Sequence, residues 1–235
     1  MEHNYINGFS TQRVRIELVL CSASPRRNDL MKLCGLPFRT AVSATDERAI
    51  AKAVMGDDDG KVSPATAASL SLALATAKAE AVRQIEQPEQ PCIYIGSDTV
   101  VHHREMILGK PTDADEANTM LSDLCGHEHS VFTAVAFLAS HPDLPELAHS
   151  PADSFVGHAR VRFRILDQIQ ENLIKKYVAG GSPFDKAGGY GIQDEGALLI
   201  DSIRGDFYTV MGFPIAEVYR RLIKLLDAPP FNESC

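Results

Sequence analysis

Ile16-Glu17-Leu18-Val19-Leu20-Cys21 is a short apolar run of the length a buried strand needs, and helix-start chemistry follows it at once. Ser24 suits an N-cap, Pro25 the first helical position, Leu30 and Leu33 keep helical spacing, and Gly35 supplies a stop. Phe38 to Val42 reads as a second, short strand leading to Thr45-Asp46-Glu47-Arg48. Pro64 to Glu86, rich in Ala and Leu, is the longest helical stretch, and Gln87 to Pro91 breaks it. Cys92 to Ile95 is a compact apolar strand ending at Gly96-Ser97-Asp98-Thr99, with Val100 and Val101 running on to a turn near His103-Arg104-Glu105. A helix over about 113–124, a buried strand over 131–138, a helix from Asp167 to Gly180-Gly181, a strand over 197–203 and a closing amphipathic helix over 214–226 complete the pattern. Val161, Phe163 and Ile165 alternate with Arg160, Arg162 and Arg164, which predicts a half-buried strand with a solvated arginine face.

Strands and helices alternate in mixed order without an internal repeat, which specifies an α/β or mixed α+β protein rather than a bundle or sandwich. Residues 1–13 are polar and aperiodic and read as a flexible extension; 14–228 form one domain, and 229–235 a tail. Gly56-Asp57-Asp58-Asp59-Gly60 and the proline-bearing stretch 141–150 read as exposed loops. The first of these is no calcium loop, because the alternating acidic spacing and the terminal Glu are missing.

At 235 residues, 45% hydrophobic and 23% charged, the chain can bury one large core or two small ones around a cleft. It lacks an apolar run of the roughly 20 residues a membrane helix needs, and its first residues lack signal-peptide layout, so a cytoplasmic protein without membrane contact is expected. The net charge of −8 argues against a nucleic-acid partner but leaves room for a small anion held by a local basic cluster. Cys21, Cys34, Cys92, Cys125 and Cys235 are scattered among apolar neighbours and read as reduced thiols.

Arg26 and Arg27 fall in the first helical turn, where cations are mildly unfavourable and anions are attracted by unpaired N–H groups. An anion cradle and a solvated surface arginine pair are both open on this motif alone. His127 and His129 invite a metal reading, but with no third ligand at suitable spacing a surface turn is the expectation.

Ser22-Ala23-Ser24-Pro25-Arg26-Arg27, Gly96-Ser97-Asp98-Thr99-Val100, Gly109-Lys110-Pro111 and Asp185-Lys186-Ala187-Gly188-Gly189-Tyr190-Gly191-Ile192-Gln193 occur in this order. Together they resemble the Maf family of nucleoside triphosphate pyrophosphatases, over about residues 16–225. The resemblance implies an elongated fold like that of the inosine triphosphate pyrophosphatases, with a long mixed sheet, helices and a cleft between two lobes. It also implies hydrolysis between the α and β phosphates with Mg2+ or Mn2+, and a homodimer.

By the same resemblance Asp98 is the proton acceptor and, with Glu47, a metal ligand; Asp46 beside Glu47 leaves that position ambiguous by one residue. Lys78, Lys110 and Arg27 would face the phosphates, with Ser22, Ser24, Arg26, Thr99, Lys186 and Gln193 binding substrate. The Asp185–Gln193 block is similar to that of the branch preferring dTTP and UTP, with Gln193 able to donate to and accept from a pyrimidine edge. Two alternatives accompany this reading: a nucleotide-binding regulator of cell division or septum formation, and a pyrophosphatase for 7-methyl-GTP or another noncanonical nucleotide.

Overall fold

The computed structural model describes residues 16–56, 61–86, 88, 90–140 and 152–227. The N-terminal extension, the 57–60 run, the 141–150 loop, the 229–235 tail and Cys235 therefore lie outside the described residues.

Three apolar runs build the centre of a seven-stranded mixed sheet: β1 (Glu17–Cys21), β3 (Cys92–His103) and β5 (Glu128–Ser140). β2 (Arg39–Thr40) lies parallel outside β1, and β1 runs parallel to β3. β5, β6 (Asp153–Phe163) and β7 (Ile200–Arg204) continue the other way, antiparallel, while β4 (Met106–Leu108) folds back on β3. Seven α-helices accompany the sheet among the described residues: α1 (Pro25–Lys32), α2 (Glu47–Met55), α3 (Pro64–Ile85), α4 (Ala114–Leu124), α5 (Gln168–Ala179), α6 (Phe207–Met211) and α7 (Ile215–Asp227). No helix among the described residues is long and apolar enough to cross a membrane.

β3 organises everything. Its side chains alternate between the two faces of the sheet. Cys92 and Tyr94 pack with Ala79 and Val82 of α3, and Val100 with Leu70 and Leu74 of the same helix. Gly96 lets α3 come that close: a Cβ there would lie 2.0 Å from the Ala75 carbonyl oxygen. On the opposite face Ile93 and Ile95 join Leu30, Met31, Val218 and Leu222 in one core, whereas Val101 joins Leu121, Phe163, Ile174 and Tyr177 in another. Ser97 and Thr99 fall between these two cores and leave a polar seam.

β3 also has a free stretch of edge. β1 pairs with it from Cys92 to Gly96, and β4 resumes on the same side at Val101. Ser97 to Val100 therefore have no strand partner on that side, although their other side is paired to β5 throughout. The cleft opens at this gap, where chains leaving β1 and β4 diverge, as ligand sites do at switch points of open α/β sheets.

Several sequence expectations need correction. β3 does not end at Gly96–Thr99 but runs on to His103, so Asp98 sits inside a strand. The second strand shrinks to Arg39–Thr40, and β6 begins well before Arg160 and ends at Phe163, leaving Ile165 exposed outside it. α2 follows the Thr45–Arg48 run as a helix that the sequence pattern does not announce; Asp46 caps it by accepting from the Ala49 N–H. His129 is buried on β5 rather than in a surface turn, although His127 is exposed. Among the described residues no group of three metal-ligating side chains occurs, and Cys21, Cys34, Cys92 and Cys125 are free thiols.

Candidate active site

The gap in the β3 edge leads into a cleft of about 810 Å³ lined by the β1–α1 turn, Glu47, Lys78, Asp98, Thr99, Lys110, the 185–193 segment and Gly212. Strand alternation sends Asp98 and Thr99 to opposite faces, and the open edge makes both accessible from this single cleft.

On the α3 face the Lys78 ammonium donates to Asp98 Oδ1 and lies 2.8 Å from Glu47 Oε1. Glycine at 96 allows this approach, because it brings α3 down on β3 one turn from Lys78. Asp98 is 9% exposed. Burial alone would raise the Glu47 carboxyl, but the Lys78 hydrogen bond and charge, aided by Lys110 and Arg27, hold it below the ordinary carboxylate value. Asp46 accepts from the Ala49 N–H as a helix cap, whereas Glu47 faces the lysine.

On the seam face Arg27 reaches across the molecule. Its Nε donates to the Gly212 carbonyl at 2.9 Å, Nη2 to Thr99 Oγ1 at 3.2 Å and Nη1 to Ser22 Oγ at 3.4 Å. Gly212 adopts a φ of 104°, a conformation that favours glycine, and so turns its carbonyl toward the arginine. Thr99 continues the network to Thr133 at 2.9 Å. Burial lowers the Arg27 pKa, which nearby Asp98 partly offsets.

Ser24 occupies the N-cap of α1 but makes no side-chain capping bond, and its own N–H donates to Ser22 Oγ at 3.2 Å. The first turn of α1 thus faces the cleft without a side-chain cap. Arg26 spans the cleft to Asp185 Oδ2 at 3.1 Å. Lys186 is buried and held by the Ser182 carbonyl and Asp185 Oδ1, each at 2.6 Å, and by Asp194 Oδ2 at 3.3 Å. Lys110 and Gln193 stand exposed on the rim.

The structure therefore brings all eleven expected side chains to one cleft. The Gly212 carbonyl also lines it, and behind the lining Thr133, Tyr177 and Asp194 hold Thr99, Gly191 and Lys186; the sequence singled out none of these four. Met211-Gly212-Phe213-Pro214 was the available signal for the first, a glycine–proline turn just before the last helix.

A Maf-like protein family model matches residues 17–225. A dTTP/UTP pyrophosphatase of Bacillus cereus is 36% identical over 206 residues, covering 88% of this chain and 94% of that protein. One from Bacillus cytotoxicus is 37% identical with the same coverage. A probable bifunctional dTTP/UTP pyrophosphatase/methyltransferase protein of Homo sapiens is 37% identical over 215 residues, 90% of this chain and 32% of that protein. With a match over most of its length and a cleft built from all four motif blocks, the chain belongs to the Maf-like protein family.

Proposed function

We propose that this protein is a nucleoside triphosphate pyrophosphatase that hydrolyses dTTP and UTP to the monophosphate and pyrophosphate and so clears the nucleotide pool. The observation that carries the reading is the Glu47–Lys78–Asp98 group facing the arginine-lined turn after β1 within one cleft.

Arg26, Arg27 and Lys110, with the uncapped first turn of α1 and the Ser22 and Ser24 hydroxyls, hold the phosphate chain. Water attacks the α-phosphorus; the bond to the α–β bridging oxygen breaks, and that oxygen leaves on pyrophosphate. Asp98 takes the proton from the attacking water, with Lys78 fixing the carboxylate's orientation. Fixed cations in a partly enclosed cleft then stabilise charge spread over the phosphoryl oxygens. Lys186 supports the 185–193 segment, and Gln193 reads the base edge from the rim.

A divalent cation suits this class of chemistry. Two carboxylates, Glu47 and Asp98, fit magnesium or manganese, which take oxygen ligands and let substrate phosphates and water complete their shell. Such an ion, when bound, neutralises phosphate charge and lowers the pKa of a coordinated water.

The deciding experiment is a pyrophosphate-release assay over dTTP, UTP, dCTP and 7-methyl-GTP, each with magnesium and with manganese. Pyrophosphate from dTTP and UTP is the expected product. Orthophosphate as product sinks the proposed bond cleavage. Nucleotide binding without turnover would instead point to a regulatory binding module, and preference for 7-methyl-GTP to the other branch of base choice.

A further inference from the structure

Gln193 follows Tyr190, Gly191 and Ile192 in a stretch that belongs to no helix or strand. Regular backbone ladders therefore do not fix the direction of its amide, and side chains from other elements take over that task. Tyr177, on α5 and 1% exposed, accepts from the Gly191 N–H at 3.0 Å and donates to Asp194 Oδ1 at 3.1 Å. One hydroxyl thereby clamps residues on both sides of Gln193. Asp194 is fixed further by the Gly196 N–H at 2.9 Å and Lys186 at 3.3 Å.

The other anchor comes from β5. The Tyr190 hydroxyl hydrogen-bonds His129 Nε2 at 2.7 Å, and the Tyr190 ring meets those of His129 and Phe163 edge to face. The knot has no slack: a Cβ on Gly191 would fall 2.5 Å from Asp194 Oδ2 and 2.7 Å from Lys186 Cε. Within this knot Tyr190, Gly191 and Ile192 are buried and Gln193 alone is exposed.

We propose that Tyr177 and the His129–Tyr190 pair are positioning residues that hold Gln193 at the cleft rim and thereby govern selection between nucleotide bases. This rests on the reading that Gln193 contacts the base. Asp98 and Lys78 sit on β3 and α3, apart from α5, so loosening the knot acts on base binding rather than on the chemical step. Removing the Tyr177 hydroxyl while keeping its ring leaves the buried Gly191 N–H without its acceptor and frees Asp194 Oδ1 from α5, with only the Gly196 N–H still on it, and the segment relaxes.

The test is a double-mutant cycle on the full-length protein, with KM and kcat measured for dTTP and dCTP. Tyr177→Phe is expected to raise the dTTP KM by about fivefold with kcat within about twofold, and to narrow the dTTP/dCTP ratio of kcat/KM. In a Gln193→Ala background the same change should leave that ratio where Gln193→Ala put it. A Tyr177→Phe enzyme with unaltered selectivity, beside a Gln193→Ala enzyme that has lost it, overturns the positioning role alone. A Gln193→Ala enzyme with unaltered selectivity overturns the base-reading assignment and the inference with it. Tyr190→Phe provides the second arm should Tyr177→Phe not fold: it is expected to narrow selectivity, whereas His129→Gln, which retains a hydrogen-bonding partner for Tyr190, preserves it. Wild-type selectivity in both Tyr190→Phe and His129→Gln would overturn the proposal.

Discussion

Lys78 donates its ammonium to Asp98 Oδ1 from the facing helix, and the same nitrogen lies 2.8 Å from Glu47. One cation thus separates two carboxylates in the cleft proposed to receive the triphosphate. Asp98→Asn keeps the shape but cannot take a proton, so a fall in kcat of about 10²–10⁴-fold is expected, with KM little changed. Near-normal turnover in that variant would remove Asp98 as the base.

Lys78→Met makes a different forecast. Without the ammonium the two carboxylates repel, so the Glu47 pKa should rise from its depressed value towards and above 4.5. Because that pKa lies below the ordinary one in the native protein, Glu47 adds stability that is present above about pH 4.5 and is lost as pH falls through the depressed value. Glu47 is half exposed and solvent screens the pair, so the pH dependence is expected to be shallow. Carboxyl NMR titration of wild type and Lys78→Met checks the direction; an unmoved Glu47 contradicts it.

Arg27 uses three separate nitrogens on Gly212, Thr99 and Ser22. Lysine keeps the charge but cannot reproduce that fork. Arg27→Lys should therefore lose about tenfold or more in kcat/KM and also unfold at a temperature several degrees lower, since hydrogen bonds to charged groups each contribute about 1.5–3 kcal/mol. Thermal melts and kinetics together check this; a variant with wild-type melting and wild-type KM would show Arg27 to be dispensable.

Asp185 holds Arg26 at 3.1 Å and Lys186 at 2.6 Å, so on the proposed reading of the site it competes with a phosphate for Arg26. Its carboxylate is 65% exposed, so the Arg26 pair contributes little stability. Asp185→Asn removes one negative charge from the rim. The expected result is a KM for triphosphate lowered by about two- to fivefold at low ionic strength, an effect fading as salt rises. A raised KM would mean that Asp185 serves mainly to hold Lys186 in place.

Local patterns in the chain made most elements legible. Ser63 and Asp167 cap the helices they precede, and β1, α1, α3 and α7 fall close to where periodicity puts them. β3 outruns its expected end because Ser97, Asp98 and Thr99 interrupt the apolar run; they are strand residues whose polarity suits a seam and a cleft that exist only in three dimensions. α2 escaped because it is short and buries no residue fully, leaving only the Asp46 cap as a signal. The tie between Tyr177 and Gly191 joins positions 14 residues apart across a chain reversal, which no helical or strand period encodes.

Gly96 couples fold and chemistry at one position. Its missing side chain lets α3 lie directly on β3, with Ala75 and Ala79 against the gap, and this seats Lys78 opposite Asp98 two residues further along the strand. In Gly96→Ala the new methyl would sit 2.0 Å from a backbone oxygen and 3.0 Å from the Ala79 side chain, and neither can rotate away. The helix must move off the sheet, at a cost of about 1–3 kcal/mol or more from overpacking. Because Lys78 travels with the helix, activity should fall more steeply than the melting temperature suggests: a loss of about tenfold or more in kcat in protein that is still folded at the assay temperature. A variant that melts early but turns over at the wild-type rate when folded would show that the α3–β3 spacing serves stability alone.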